Sequence, residues 1–272
     1  RYHGIGFNFL SQPFQYLIKD FLLSYLDINE YGSILIAKHP VIFILFFISS
    51  LFFYKICIIF FNNKNFALIS LFIYLLYPYF LGHSFINPKD IPFLSFWVIS
   101  TYVLCKILKK LYKEEPVPIK YIVYISISTS FLISIRIVGF LILLQFLIFI
   151  ITFNEIKNKS FFNLIKNNIK NLFILLFTLV LFLYLLNPIF WHDPKEIVNS
   201  LKWMSKYQQD VSTLTLGEYM KSLNLPASYY FIWLFFKLPI LIILGFFIFP
   251  FLEKKFIKNN LNKILTYSLI FT

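Results

Sequence analysis

His83-Ser84-Phe85-Ile86-Asn87-Pro88-Lys89-Asp90-Ile91-Pro92 is a polar knot set between two strongly apolar runs, Phe66–Gly82 and Phe93–Cys105. Runs of this kind read as membrane helices, so the knot is predicted to lie at a bilayer face. An acid, a base, an amide and an imidazole fall within eight residues there. Ionisable groups beside membrane spans are costly unless solvated or paired, which makes the cluster a functional candidate.

The rest of the composition agrees with a membrane chain. Hydrophobic residues make up 59% and charged residues only 14%, where a soluble domain has roughly a quarter charged. The apolar residues come in blocks of about 15 to 21, close to the roughly 20 needed to cross about 30 Å of hydrocarbon. They do not alternate, which excludes the strand pattern of an outer-membrane barrel. The expected fold is all-α, a polytopic transmembrane helical bundle with interfacial amphipathic helices on its outer face. Cys57 and Cys105 sit in or at the end of apolar runs and imply neither a disulfide framework nor a zinc site. The net charge of +13 lies between spans, so it reads as loop charge and implies no nucleic acid partner. The chain starts at Arg1 without a signal-peptide pattern and ends inside an apolar run. It reads as one domain, residues 1–272, cut from a longer protein at both ends.

Residues 1–40 are expected to form a first outer loop with surface helices. Phe7, Leu10, Phe14, Leu17, Ile18, Phe21 and Leu22 recur at helical steps, while Gln12, Gln15, Lys19 and Asp20 fall elsewhere on the wheel. Such a helix suits the headgroup boundary. Spans are expected within 41–190: Val41–Phe61, Phe66–Phe85, Ile91–Cys105, Tyr121–Arg136, Ile137–Phe153 and Leu172–Phe190. A long outer loop, 191–237, precedes further spans in 238–272, the first at Leu238–Leu252 with Trp233 and Lys237 as anchors. The loop Lys157–Asn171 reads as another interfacial helix.

Lysines set the orientation. Lys106, Lys109, Lys110, Lys113 and Lys120 form one cluster, Lys157, Lys159, Lys166 and Lys170 a second, and Lys254, Lys255, Lys258 and Lys263 a third. By the positive-inside rule all three are cytoplasmic. An even number of crossings must separate two inside loops, so Tyr121–Phe153 is a helix pair turning near Arg136-Ile137-Val138-Gly139. Residues 86–90, Arg136 and segment 191–237 then emerge together on the outer face.

Asp90 could take a proton from a hydroxyl acceptor or help hold a divalent cation. Asn87-Pro88-Lys89-Asp90 is also a capping-box spacing, so the structural and chemical roles both stand. Arg136 between two apolar helices needs an anion, either a phosphate gripped by its planar fork or Asp90 itself. Lys89 would neutralise the acid or face headgroups. His3, His39, His83 and His192 map to the outer side with no metal-ligand spacing. Of these, His83 and His192 are secondary site residues, with Tyr2, His3, Asn87, Asp193 and Glu218. Asp193 and Pro194 are suited to open a helix, completed by Glu196. No phosphate-binding glycine loop or nucleotide fold is present, which disfavours a soluble nucleotide donor.

Taken together these segments resemble the membrane-embedded GT-C glycosyltransferases. The nearer likeness is to the family of protein O-mannosyltransferases and bacterial lipid A aminoarabinose transferases, the glycosyltransferase family 39 type. The matching segments are residues 83–92, Arg136-Ile137-Val138-Gly139, and Asn187-Pro188-Ile189-Phe190-Trp191 through Asp193-Pro194. Gly217-Glu218 and Pro226–Tyr230 follow later. The resemblance implies a sugar moved from a polyprenyl-phosphate donor to a protein, lipid or glycan acceptor at the outer face of the inner membrane. It implies a catalytic acid in the first outer loop, expected just ahead of Tyr2-His3-Gly4. Asp20, Asp27 and Glu30 lie in that loop but do not match the motif. Asp90 matches the second acidic position, and Arg136, with Lys89, would hold the donor phosphate. No cofactor is assigned, a divalent cation at Asp90 being the one left open. Competing functions are a lipid-linked-sugar transporter or flippase, a polysaccharide polymerase or ligase, and a non-catalytic assembly subunit. The span interiors, bare of ionisable groups apart from Arg136, and the lack of internal repeats argue against a transporter.

Overall fold

The computed structural model describes residues 6–25, 29–158, 160–206, 211–215, 217–256 and 260–270. The fold is an all-α polytopic helical bundle, as expected, with one short hairpin. The chain divides into two compact units, one running to Pro194 and resumed by the last helix, the other spanning residues 195–256.

The first unit opens with α1 (Gly6–Tyr25) and α2 (Glu30–Phe61). Asn29 caps α2, its side chain accepting the Gly32 N–H at 2.7 Å. At its far end Asn62 takes the left-handed conformation that closes a helix, φ 50°, and Asn63 caps α3 (Lys64–Leu76). Two consecutive asparagines thus make the whole α2–α3 turn. A 59° bend before Pro78 leads into α4 (Pro78–Ser84). The knot follows, then α5 (Asp90–Tyr112), α6 (Ile119–Ile135), a tight turn at Ile137–Phe140 and α7 (Leu141–Lys157). The short α8 (Phe161–Asn167), α9 (Ile169–Leu186) and one-turn α10 (Ile189–His192) complete the run. Four helical stretches among the described residues are long and apolar enough to cross a membrane: α2, α5, Ile137–Lys157 and α9. The bent pairs raise this to six.

Helix α2 starts at Glu30, eleven residues before the expected span start at Val41. Its 32 residues measure roughly 48 Å at 1.5 Å per residue, well beyond about 30 Å of hydrocarbon. Phe43 stacks on Phe85 of the knot at 5.2 Å, so the turns before it reach past that end of the bundle. Helix α1 lies antiparallel against them, with Lys19 ion-paired to Glu30 and Lys38 Nζ donating to Asn8 Oδ1 at 3.4 Å. Residues 6–25 and 30–38 therefore pair as the two arms of a helical hairpin, in which Ser11, Ser33 and Ala37 are fully buried. At its root a Cβ on Gly6 would stand 2.7 Å from the Ser134 Cβ, a close approach of α1 to the end of α6.

Membrane helices gain little from apolar burial and rely on small residues and interhelical hydrogen bonds. Helix α6 does this along one edge. The Ser126 and Ser130 hydroxyls donate to the Leu175 and Leu179 carbonyls of α9, at 3.1 and 3.0 Å. One step further along, Asn187 Nδ2 donates to Ser134 Oγ at 2.7 Å. Ser100–Ser128 (2.9 Å) and Thr101–Gln145 (3.2 Å) tie α5 to α6 and α7. Two of the lysine clusters meet at one end: Lys157 lies 3.9 Å from the Tyr112 ring centroid, and Lys110 pairs with Glu115. Helix α6 therefore runs from the basic end to the knot end and α7 returns, the two-helix solution demanded by the lysine pattern.

In the second unit, α11 (Glu196–Lys206) precedes an antiparallel hairpin of β1 (Ser212–Thr215) and β2 (Glu218–Lys221). Gly217 sits in its turn at φ 89°, a conformation that glycine adopts freely. The first α11 N–H bonds go to the Lys195 carbonyl, two residues after Asp193. Next, α12 (Tyr229–Lys237) and α13 (Ile240–Phe256) meet at 107°. Leu238, ahead of Pro239, is extended (ψ 139°), as a residue before proline prefers. The expected start of a span at Leu238 is thus a sharp corner. The last helix, α14 (Asn260–Ile270), belongs to the first unit and buries Ile264 and Leu265 with Phe149 and Phe153 of α7.

Candidate active site

One asparagine organises the knot. Asn87 Oδ1 accepts the backbone N–H groups of Lys89 (3.0 Å) and Asp90 (2.9 Å), satisfying the first donors of α5. That fixes the orientation of the amide, whose Nδ2 donates to Asp90 Oδ2 at 2.9 Å and reaches His83 Nδ1 at 3.2 Å. An NH2 group can only donate, so His83 Nδ1 is the acceptor and the imidazole proton sits on Nε2. Tyr79 covers the ring, centroids 4.3 Å apart. The cap that starts α5 is also the group that holds its carboxylate, so the capping spacing of the sequence is used and leaves Asp90 positioned by the same amide.

The other carboxylate oxygen, Asp90 Oδ1, is ion-paired with Arg136 Nη2. The two side chains remain 42% and 45% exposed. A pair this open is worth about 0–1 kcal/mol to stability, too little to explain a guanidinium at this position. Arg136 is extended (φ −144°, ψ 132°) where α6 stops, and its carbonyl accepts the Gly139 N–H at 2.8 Å. Gly139 lets the turn fold onto α6: a Cβ there would lie 2.8 Å from the Leu132 carbonyl carbon and oxygen. Behind the turn, the buried Asn187 joins α9 to Ser134 and also donates to the Leu183 carbonyl at 2.7 Å. The ends of α6 and α9 and the start of α5 therefore converge at one end of the bundle.

Of the other anticipated residues, Lys89 is exposed beside the pair, its ammonium without a partner among the described residues. His192 ends α10 and Asp193 follows it, both exposed. Glu218 opens β2 in the second unit, opposite Thr215. Tyr2 and His3 lie outside the described residues, as does Asp27. No three His, Cys, Asp or Glu side chains converge among the described residues. Asp90 accepts from Asn87 on one oxygen and pairs with Arg136 through the other. What the arrangement can do is hold an anion on Arg136 and Lys89 while a neighbouring carboxylate takes a proton.

Asn187 and Gly139 carry positioning roles that were not assigned from the sequence. Both fall inside segments singled out there, but their partners, Ser134 and the backbone of Leu132, become visible only in the folded chain.

Asn87→Ala is expected to lower thermal stability through the lost cap, about 1 kcal/mol, and to lower activity further by releasing Asp90. Asn87→Ser should restore the cap and the unfolding temperature but not the activity, because the shorter hydroxyl caps the helix without replacing the amide N–H that holds Asp90. Thermal unfolding in detergent beside a turnover assay separates the two effects; equal recovery of both would reduce Asn87 to a helix cap.

A family model described as dolichyl-phosphate-mannose-protein mannosyltransferase matches residues 9–188, well over half of the 272-residue chain. Neither a curated protein nor a solved structure matches it.

Proposed function

We propose, on the premise that the chain belongs to the dolichyl-phosphate-mannose-protein mannosyltransferase family, that it moves a sugar from a polyprenyl-phosphate donor to a hydroxyl acceptor at the outer face of the inner membrane. The family is one of membrane glycosyltransferases of the GT-C type. The observation that carries the finer reading is the Asp90–Arg136 pair, half-open to solvent at the end of the bundle opposite the lysine clusters of residues 106–120 and 157–170. Positive charge marks the cytoplasmic ends of spans, which supports an outer-face location for the pair.

The chemistry follows from the two groups. A lipid-linked donor can approach laterally between helices, so no nucleotide pocket is required. The acceptor oxygen attacks the anomeric carbon as the bond from that carbon to the phosphate oxygen breaks, with inversion. One negative charge develops on the departing polyprenyl phosphate, and the planar guanidinium of Arg136, assisted by Lys89, is suited to receive it. As Arg136 turns to the phosphate it leaves Asp90, whose carboxylate takes the acceptor proton.

Sidedness is tested with an impermeant thiol reagent. The native thiols, Cys57 and Cys105, are buried and give little background. Lys89→Cys and Val138→Cys, both at exposed positions flanking the pair, should label in intact cells. Lys113→Cys should label only after permeabilisation. Labelling of the first two from opposite sides would dismantle the site. Transfer itself is tested with radiolabelled polyprenyl-phosphate mannose in vesicles; no turnover by the wild-type protein with hydroxyl acceptors would overturn the proposed reaction.

A further inference from the structure

The projecting hairpin encloses a polar cleft that the mechanism above does not use. It is a cavity of about 390 Å³ between α1 and the early turns of α2. From α1 it is lined by Asn8, Gln12, Gln15 and Tyr16. The Lys19–Glu30 ion pair contributes to its wall, and Lys38 stands near Asn8. Ile34 is the only aliphatic side chain of the lining among the described residues. The cleft is joined to the transfer site through the root of the hairpin, where Gly6 packs on Ser134 and Ile135, directly before Arg136.

We infer that this cleft binds carbohydrate and that the acceptor is a glycan. Each carboxamide offers both a donor and an acceptor, the pattern that matches a sugar's hydroxyls, which are likewise both. Gln12 Nε2 reaches only the Tyr16 hydroxyl at 3.4 Å, and Gln15 Nε2 only Ser11 Oγ at 2.7 Å. Their carbonyl oxygens have no partner among the described residues. Tyr16, 68% exposed, offers an aromatic face. The volume lies at the lower end of the roughly 300–1,000 Å³ of small-molecule sites. Lys19 is neutralised by Glu30 and Lys38 donates to the neutral Asn8, so the lining carries one net positive charge among otherwise uncharged amides and a phenol, a wall that favours hydroxyls over a polyanionic headgroup. An extended peptide would need a strand edge or apolar side-chain pockets, and the two helices supply neither.

This inference rests on the assignment of Asp90 and Arg136 as the transfer site, but its test reads binding rather than turnover. Saturation-transfer NMR on the purified full chain in detergent would compare an α-linked mannobiose with a serine- and threonine-containing hexapeptide. Mannobiose is expected to bind, and Gln12→Ala with Tyr16→Ala should weaken it by about tenfold or more, the scale of one or two lost polar contacts. Both positions are exposed, so the fold should persist. Tyr31→Ala, exposed on α2 outside the cleft, should leave binding unchanged. Mannobiose that does not bind, binding indifferent to the double substitution, or preference for the peptide would each overturn the inference. Sugar binding retained beside an Arg136→Ala variant of undiminished turnover would sink the transfer-site assignment alone and leave the cleft a sugar site.

Discussion

Arg136→Ala is expected to lower sugar transfer by about two to three orders of magnitude, the usual cost of removing a group that meets developing negative charge. The protein should nevertheless accumulate normally, because an ion pair this exposed contributes at most about 1 kcal/mol to folding. Asp90→Asn is expected to cost a comparable factor, since a positioned proton acceptor contributes roughly 10²–10⁴. Its amide oxygen can still accept from Asn87, so the start of α5 should persist. The proposed mechanism has both residues act on one step, so the double variant should be hardly worse than the poorer single one, rather than the product of the two. The measurement is transfer from radiolabelled polyprenyl-phosphate mannose at matched abundance. Turnover within about twofold of wild type for both single variants would reduce the pair to a surface bridge between two helix ends.

The contrast between what could be read and what could not has a physical basis. The knot, Arg136 and the turn at residues 136–139 stand out because charge and glycine interrupt long apolar runs, and such interruptions are costly in a membrane. The helical hairpin was hidden because Lys38, His39 and Pro40 break the apolar pattern just where α2 is continuous. Proline costs an interior hydrogen bond in any helix, but neighbouring helices can absorb that loss, and α1 is packed alongside with Ser33 and Ala37 buried beneath it. The polar face of α1 is visible as Gln12, Gln15 and Lys19, yet its companion wall, Glu30 and Lys38, falls within the expected outer loop. The four-residue step of Ser126, Ser130 and Ser134 is plain in the sequence, but its acceptors on α9 are backbone carbonyls, which carry no residue signature. The hairpin at residues 212–221 escaped because strands this short show too little alternation to outweigh a helical chain.

Gly139→Ala is expected to damage both stability and activity, and Gly82→Ala neither. At Gly82 a methyl group would meet nothing within 4 Å, so alanine should be neutral or slightly favourable to α4, glycine being worse than alanine in a helix by roughly 1 kcal/mol. At Gly139 the methyl would lie 2.8 Å from the Leu132 carbonyl carbon and oxygen and 2.9 Å from the Ile133 Cα. These are backbone atoms, so no side chain can turn aside to admit it. Relief must come from lifting the turn off α6 or shifting the last turn of α6 itself. Overpacking of this kind typically costs about 1–3 kcal/mol. The last turn of α6 carries Ser134, bonded to Asn187, and leads directly into Arg136. A displacement of about 1 Å of a phosphate-binding group can cost on the order of a hundredfold in rate. Activity should therefore fall further than the lost stability alone accounts for, and the excess should persist when assays are corrected for folded protein. A Gly139→Ala variant with wild-type unfolding temperature and turnover would mean that the turn does not hold Arg136 against the end of α6, and the geometry of the whole site would have to be redrawn.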